Sequence, residues 1–323
     1  MTNTTKWVGA PLRRREDKRF LTGQSQYTDD MAVTGQAYAV FVRSPHAHAK
    51  IAGVQTAQAL RTPGVRLIVT AADIDAELVG PLPSHTNTPP FDVQRNGGAA
   101  ADGSQPPLAT DTVRYLGEPV VMVVADSLNA ARDAADHVMV DYEPLTSVME
   151  FEQALADGAQ PVWDDAPDNV SFDWAGGDPA ATHTAFADAA HVTRLRLVNN
   201  RVVIAFMEPR AALADIDTNT GRLTLFAGCQ GAHGLKAGLV DILRLSEDQL
   251  RVVVPDTGGG FGARGSVYPE FPVLLIAARR LGRAIKWTAE RTESFLTDTQ
   301  SRDHVMYGEL ALDSDGRMLA IRA

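Results

Sequence analysis

Residues 251–265 read RVVVPDTGGGFGARG, and how this stretch is read decides the fold. The β-branched run Arg251–Val254 makes a strand that stops at Pro255-Asp256. Gly258, Gly259, Gly260 and Gly262 then surround a single Phe261. Without a Cβ, glycine reaches positive φ and lets the backbone approach a ligand closely. Loops of this kind present peptide N–H groups to an anion or a metal-bound oxygen. More glycine stands here than a turn needs, so the stretch is read as a ligand cradle. A helix follows, with Phe271, Leu274, Leu275, Ala278 and Leu281 on one apolar face. Pro269 and Pro272 suit its first turn and Gly282 its left-handed end.

Working toward the N-terminus, Pro119–Ala125 (PVVMVVA) is a nearly continuous apolar strand. Ser127 caps a helix carrying Leu128, Ala131, Ala135 and Val138 at helical spacing, and Met139–Tyr142 is a further strand. Strand–helix–strand order predicts an α+β (mixed α/β) class with helices packed on sheets. Ala37–Arg43, Lys50–Val54 and Val65–Thr70 are shorter strands, and Gly80–Pro107 reads as a long irregular loop. Residues 151–176, rich in Ala, Asp, Gly and Pro, read as a linker between a unit at 1–150 and a unit at 177–323. The second unit has a helix at Pro179–Ala190 and strands at Val192–Val198, Ala211–Asp217 and Arg222–Ala227. A helix at Gly234–Leu243, a strand at Ala284–Thr288 and a hairpin at Met306–Ala323 around Asp315-Gly316 complete it. The last apolar strand has an edge to cover, which carries the expectation that more protein follows.

The chain has 323 residues, of which 45% are hydrophobic and 22% charged, enough for two cores. A formal charge of −10 argues against a nucleic-acid surface. Arg13-Arg14-Arg15 is followed at once by Glu16 and Asp17, and no apolar export segment follows the arginines. No stretch approaches membrane-spanning length, so a cytoplasmic protein is expected. Cys229 is the only cysteine. That excludes an internal disulfide, a multi-cysteine zinc site and an iron–sulfur cluster held by this chain. Any electrons handled here leave through another subunit or an organic cofactor.

Several further motifs bear on chemistry. Gly260–Gly265 (GFGARG) fits G-x-G-x-x-G, a weak signal alone, and Pro255, Asp256, Thr257 and further glycines separate it from its strand, a context that fits the dinucleotide fold badly. His46 and His48 share a spacing seen in metal ligands, although Ser-Pro-His-Ala-His favours a surface turn. Asp303-His304 has no nucleophile beside it, and a lone Cys229 is read as a core thiol. Gln230 ends the strand Leu225–Cys229, so its uncharged amide can project into a cleft and hold a neutral or oxo-type ligand.

Together these pieces resemble the large, molybdenum-binding subunit of the xanthine oxidase family of molybdenum hydroxylases, nearest to aerobic carbon monoxide dehydrogenase-like large subunits. The resemblance is carried by RREDKRFLTGQSQYTDDM (Arg14–Met31), FVRSPHAHAKI (Phe41–Ile51) and RYLGEPVVMVVADSLNAARDAADHVMVDYEPL (Arg114–Leu145). MEPRAALADID (Met207–Asp217), PDTGGGFGAR and YPEFPVLLIAARRLGRAIKWTAERTESF (Tyr268–Phe295) complete it. It implies an α/β hammerhead domain followed by the first part of a molybdopterin-binding domain. It also implies a molybdenum–molybdopterin cofactor, in the cytosine dinucleotide form, held by its own dithiolene rather than by side chains. By that resemblance Gln230 donates toward one ligand of the metal and the N–H of Phe261 reaches another, while Phe261 excludes water. Gly259, Gly260, Gly262, Ala263 and Arg264 line the cofactor.

The implied reaction oxidises a small molecule (an aldehyde, an N-heterocycle or CO) with oxygen from water. Electrons pass to an iron–sulfur subunit and an FAD subunit, so this chain carries neither group. Ala263-Arg264-Gly265 stands where purine-oxidising relatives carry Gly-Lys-Glu, which disfavours purines. The family's general-base glutamate falls outside this sequence, in the remainder of the large subunit. Gly308-Glu309 resembles its motif but sits in a strand, so the chain alone is expected to be inactive. The rival readings are an NAD-dependent dehydrogenase using GFGARG and a non-catalytic assembly protein of the same fold.

Overall fold

The computed structural model describes residues 7–77, 79–83, 101, 103 and 105–323. Most of the irregular loop expected at 80–107 lies outside the described residues. A short helix, α1 (Asp17–Leu21), precedes the strands β1 (Ala37–Arg43), β2 (Ala49–Gln55) and β3 (Val65–Val69). Then come α2 (Ala71–Ala76), β4 (Thr112–Val113), β5 (Pro119–Ala125), α3 (Leu128–Ala135) and β6 (Met139–Pro144). After α4 (Phe151–Ala154) and α5 (Pro179–Asp188) the chain forms β7 (His191–Asn199), β8 (Ala211–Ile216) and β9 (Leu223–Ala227). It continues through α6 (Ala232–Leu243), β10 (Leu250–Val253), α7 (Glu270–Leu281), β11 (Ile285–Thr288) and α8 (Arg291–Thr297). The hairpin β12 (His304–Leu312) and β13 (Met318–Arg322) follows. The architecture is mixed α/β, as expected.

One seven-stranded sheet, ordered β10-β9-β8-β11-β1-β5-β3, carries the structure. Every residue of β5 is buried, which is why its sequence is apolar without alternation. Strands from both sides of residues 151–176 share this sheet: β1 runs parallel to β11, with Ala37 opposite Ile285 and Tyr38 opposite Lys286. Two three-stranded sheets flank it, ordered β4-β2-β6 and β13-β12-β7. Ser127 caps α3 by accepting the N–H of Ala130, as its position suggested.

The helix α7 crosses β3, β5, β8, β9 and β11. Sequence periodicity gave it a single apolar face, whereas Glu270 through Ala278 are all buried. Strands contributed by both parts of the chain lie against it, so the whole circumference loses water. Fully burying a Leu or Ile side chain stabilises by about 1.5–3 kcal/mol, and Leu274, Leu275 and Ile276 are among the most enclosed side chains. Gly282 ends the helix at φ 59°, the left-handed conformation expected of it.

Candidate functional site

The strands β9 and β10 run parallel, pairing Leu223 with Leu250 through Phe226 with Val253. Both therefore end at the same edge of the sheet. Crevices beyond the carboxyl ends of parallel strands are where open sheets take ligands. From the end of β9 the chain passes through Gly228 and Cys229 to Gln230 and the start of α6; from β10 it enters the glycine loop. A shared topology thus brings Gln230 against residues 258–264.

Contact between them is direct. The Oε1 of Gln230 accepts the N–H of Gly262 at 2.8 Å and that of Arg264 at 3.2 Å, and the Gln230 N–H donates to the Arg264 carbonyl at 3.0 Å. Because the oxygen is occupied by two N–H donors, the amide orientation is set, and among the described residues nothing accepts from Nε2. A Cβ at Gly260 would lie 2.6 Å from Gln230 Cγ, so only glycine lets the loop close on the carboxamide. Phe261 takes φ 47° and Gly259 and Gly262 take 104° and 94°. A bulky residue in the left-handed region costs on the order of 1–3 kcal/mol and persists only where its surroundings impose it. Among the described residues no acceptor takes the N–H of Gly259, Gly260 or Phe261. Successive unpartnered N–H groups in alternating backbone conformations form a concave anion receptor.

The remaining expected site residues have different places. The Ala263 N–H bonds back to the Gly260 carbonyl at 2.9 Å and its side chain is buried, so it shapes the loop from behind. The Arg264 side chain points inward and is buried. Its Nη1 meets Glu208 Oε2 at 2.5 Å, and its guanidinium lies 4.2 Å above the Phe206 ring. A carboxylate and an aromatic face compensate its charge where water is excluded. Phe261 was expected to exclude water; within this chain its side chain is 76% exposed, with the ring edge against Gly259.

The other motifs resolve into ordinary roles. His48 is buried, with Nδ1 3.0 Å from the Thr146 carbonyl, and the His46 ring packs at a tilt against Tyr142. The surface turn expected there therefore holds for neither ring fully. Among the described residues no cluster of His, Cys, Asp or Glu suits a metal. Asp303 pairs with Arg201, and Glu309 bridges Arg194 and Arg322 on the β12 sheet. Burial pushes the Cys229 thiol up, consistent with a core thiol. Between the glycine loop and α7 stand a three-residue 3-10 turn (Ala263–Gly265) and Ser266–Pro269. A dinucleotide loop instead opens its helix directly.

Two features carried no local sequence signal. Asp256, at the start of the loop, accepts from Arg19 Nη1 at 2.6 Å and from the Gln26 N–H at 2.9 Å, tying the N-terminal segment to the cradle. Behind the loop, Glu270 is fully buried between Arg210, at 2.8 Å, and Arg43, at 2.7 Å, and Arg210 also reaches Asp298 at 2.5 Å. Burial alone would raise Glu270, but the two guanidinium groups outweigh it and hold the carboxyl at about 2. This network supports Tyr268, whose hydroxyl donates to the Ala263 carbonyl at 2.9 Å and accepts the Thr299 N–H at 3.1 Å. Tyr268 also lines a cleft of about 900 Å³ together with Arg114, Tyr115, Thr299 and Gln300. Gln230 and Phe261 do not line that cleft.

Residues 162–323 match the molybdopterin cofactor-binding domain family, and residues 22–146 match the a/b hammerhead domain of aldehyde oxidase and xanthine dehydrogenase. The chain is 36% identical over 322 residues to the nicotine 6-hydroxylase large subunit of Paenarthrobacter nicotinovorans, across 99% of this chain and 38% of that protein. It is 32% identical over 327 residues to the carbon monoxide dehydrogenase large chain of Afipia carboxidovorans, across 98% and 39%. Among solved structures, a Cu,Mo-CO dehydrogenase in its carbon monoxide reduced state superimposes with a TM-score of 0.87 at 31% identity, across 97% of this chain and 39% of that one. Quinoline 2-oxidoreductase from Pseudomonas putida 86 gives 0.81 at 33% identity, across 96% and 38%. The chain thus spans less than two-fifths of the length of these relatives.

Proposed function

This chain belongs to the molybdopterin cofactor-binding domain family, with the aldehyde oxidase and xanthine dehydrogenase hammerhead domain preceding that region, and from that premise we propose that it builds one wall of a molybdenum hydroxylase active site. The observation that carries the reading is the run of unpartnered N–H groups at Gly259, Gly260 and Phe261 beside a carboxamide whose oxygen is already taken. These donors fit a group with electronegative atoms at its reactive end. They lie in a cradle that a Cβ at Gly260 would fill. When bound, molybdenum–molybdopterin supplies a two-electron oxidant that uses oxygen drawn from water.

This chain's residues bind and orient. Gln230 Nε2 and the Phe261 N–H donate to the cofactor, while Gly259, Gly260 and Gly262 admit it to the backbone. Ala263 and Arg264 hold the cradle from behind. Donors fixed before reaction stabilise developing negative charge without reorganising, and removing one oxyanion-type donor typically costs about 100- to 1000-fold in kcat. The proposal extends to the cytosine dinucleotide form of the pterin, a cytoplasmic setting, and electron transfer to iron–sulfur and FAD subunits. Among an aldehyde, an N-heterocycle and CO as substrates, the N-heterocycle is favoured by relatives named for nicotine and quinoline.

The test uses the complete large subunit in its complex. Gln230→Ala is expected to lower kcat by about 10- to 100-fold, below the full oxyanion figure because backbone donors remain. Molybdenum content and melting temperature stay near wild type. Unchanged turnover at full molybdenum content would overturn the role of Gln230. NADH titration separates the dehydrogenase reading, for which saturable nicotinamide fluorescence is the required result.

A further inference from the structure

We infer that Glu208 is the positioning residue of the glycine cradle, holding its start and its end with one carboxylate so that the N–H groups between them stay convergent. The inference rests on the reading of the loop as the cofactor's receptor. Glu208 Oε2 accepts the Gly258 N–H at 2.6 Å, where the loop begins, and pairs with Arg264 Nη1 at 2.5 Å, where it ends. Arg264 Nη2 also donates to the Glu208 carbonyl. Gly259, Gly260, Phe261 and Gly262 lie between these anchors. Gln230 ties only the second half, through Gly262 and Arg264. Among the described residues, without Glu208 the first half has no side-chain anchor except Asp256, two residues before Gly258.

The segment that carries Glu208 is itself fixed. Arg291 donates to the carbonyls of Phe206 and Met207 at 2.8 and 2.7 Å, and Arg210 is locked into the buried network with Glu270 and Asp298. Glu208 thus transmits the rigidity of α7 and α8 to a loop too rich in glycine to hold itself. The fit is tight: a Cβ at Gly258 would lie 2.5 Å from Glu208 Cβ. The glycine at 258 therefore serves the clamp, whereas that at 260 serves the approach to Gln230. The carboxylate side chain is 10% exposed and its arginine partner 2%, so water competes little for either. Convergent donors are effective when their geometry is set before the ligand arrives.

The test is amide hydrogen exchange in the complete enzyme complex, with and without cofactor, for wild type, Glu208→Gln and Gly258→Ala. In the cofactor-free complex, the amides of Gly262 and Arg264 are expected to exchange at least tenfold faster in Glu208→Gln, although their bonds to Gln230 are untouched. Amides of α7 should not change. Gly258→Ala pushes the loop off the carboxylate while keeping the ion pair, so it should give the same change at smaller size, and it decides the matter if Glu208→Gln does not fold. In loaded enzyme, Glu208→Gln should also alter the molybdenum(V) electron paramagnetic resonance signal, which a residue needed only for folding would leave unmoved. Wild-type exchange at Gly262 and Arg264 in the variants would overturn the clamp. The cofactor-free arm does not depend on the receptor reading, which fails separately if loading leaves the wild-type loop's exchange unchanged.

Discussion

Gln230 and Glu270 show how this chain places polar groups. The oxygen of Gln230 is held by backbone donors, so its nitrogen faces outward as a fixed donor. Glu270 is instead an interior charge neutralised by Arg210 and Arg43. Its carboxyl is held at about 2 against an ordinary 4.5. A depressed carboxylate stabilises the fold fully above the ordinary value and loses that contribution as pH falls toward the native value. Acid unfolding, followed by the fluorescence of Trp287 beside Arg210, should therefore weaken the fold between about pH 4.5 and 2. Glu270→Gln should remove that slope and cost about 3–5 kcal/mol, because it takes away the carboxylate that Arg210 and Arg43 share and leaves them only Asp298 and Glu293 as counter-charges. A variant with wild-type acid stability would contradict this. The glycine run and the strand-end glutamine were legible in sequence, since both signals are local. The partners of Asp256 and Arg264 were not: Arg19 lies 237 residues from Asp256, and Glu208 lies 56 from Arg264.

The helix α7 is the element on which the site rests, since it follows the cradle and supplies Glu270 to the network. Its interior is packed on all sides, so truncation leaves a cavity. Leu274→Ala should cost about 2–5 kcal/mol in chemical denaturation, and a cost below about 1 kcal/mol would show that the helix is less enclosed than Leu274 indicates. Element type was readable wherever a run was long and periodic: β1 and β5 fall on the expected residues, and α7 ends at its glycine. By contrast, α2 and α8 are too short for periodicity to register. Their signals were caps, Thr70 with Asp73 and Glu290 with Glu293. The enclosure of α7 was also hidden, because it depends on which strands lie across it.

At the scale of the molecule, the parallel pairing of β1 with β11 joins the N-terminal strands to the strands that end at the cradle. Residues 1–150 and 177–323 expressed separately should each expose a sheet edge and α7 its apolar surface. We expect neither to show a cooperative thermal transition alone, and mixing them to restore one. Two independent transitions would contradict the shared sheet. This sharing had no signature in a composition shift at 151–176, which marks a surface segment without saying what pairs beyond it. The 323-residue chain by itself should neither retain molybdenum firmly nor turn over an N-heterocycle or aldehyde. Stoichiometric molybdenum with turnover would refute that. The most direct measurement is a structure of the complete, cofactor-loaded large subunit. Gln230 Nε2 and the Phe261 N–H are expected within about 2.7–3.2 Å of cofactor atoms; a cofactor seated elsewhere, with both donors facing solvent, would contradict it.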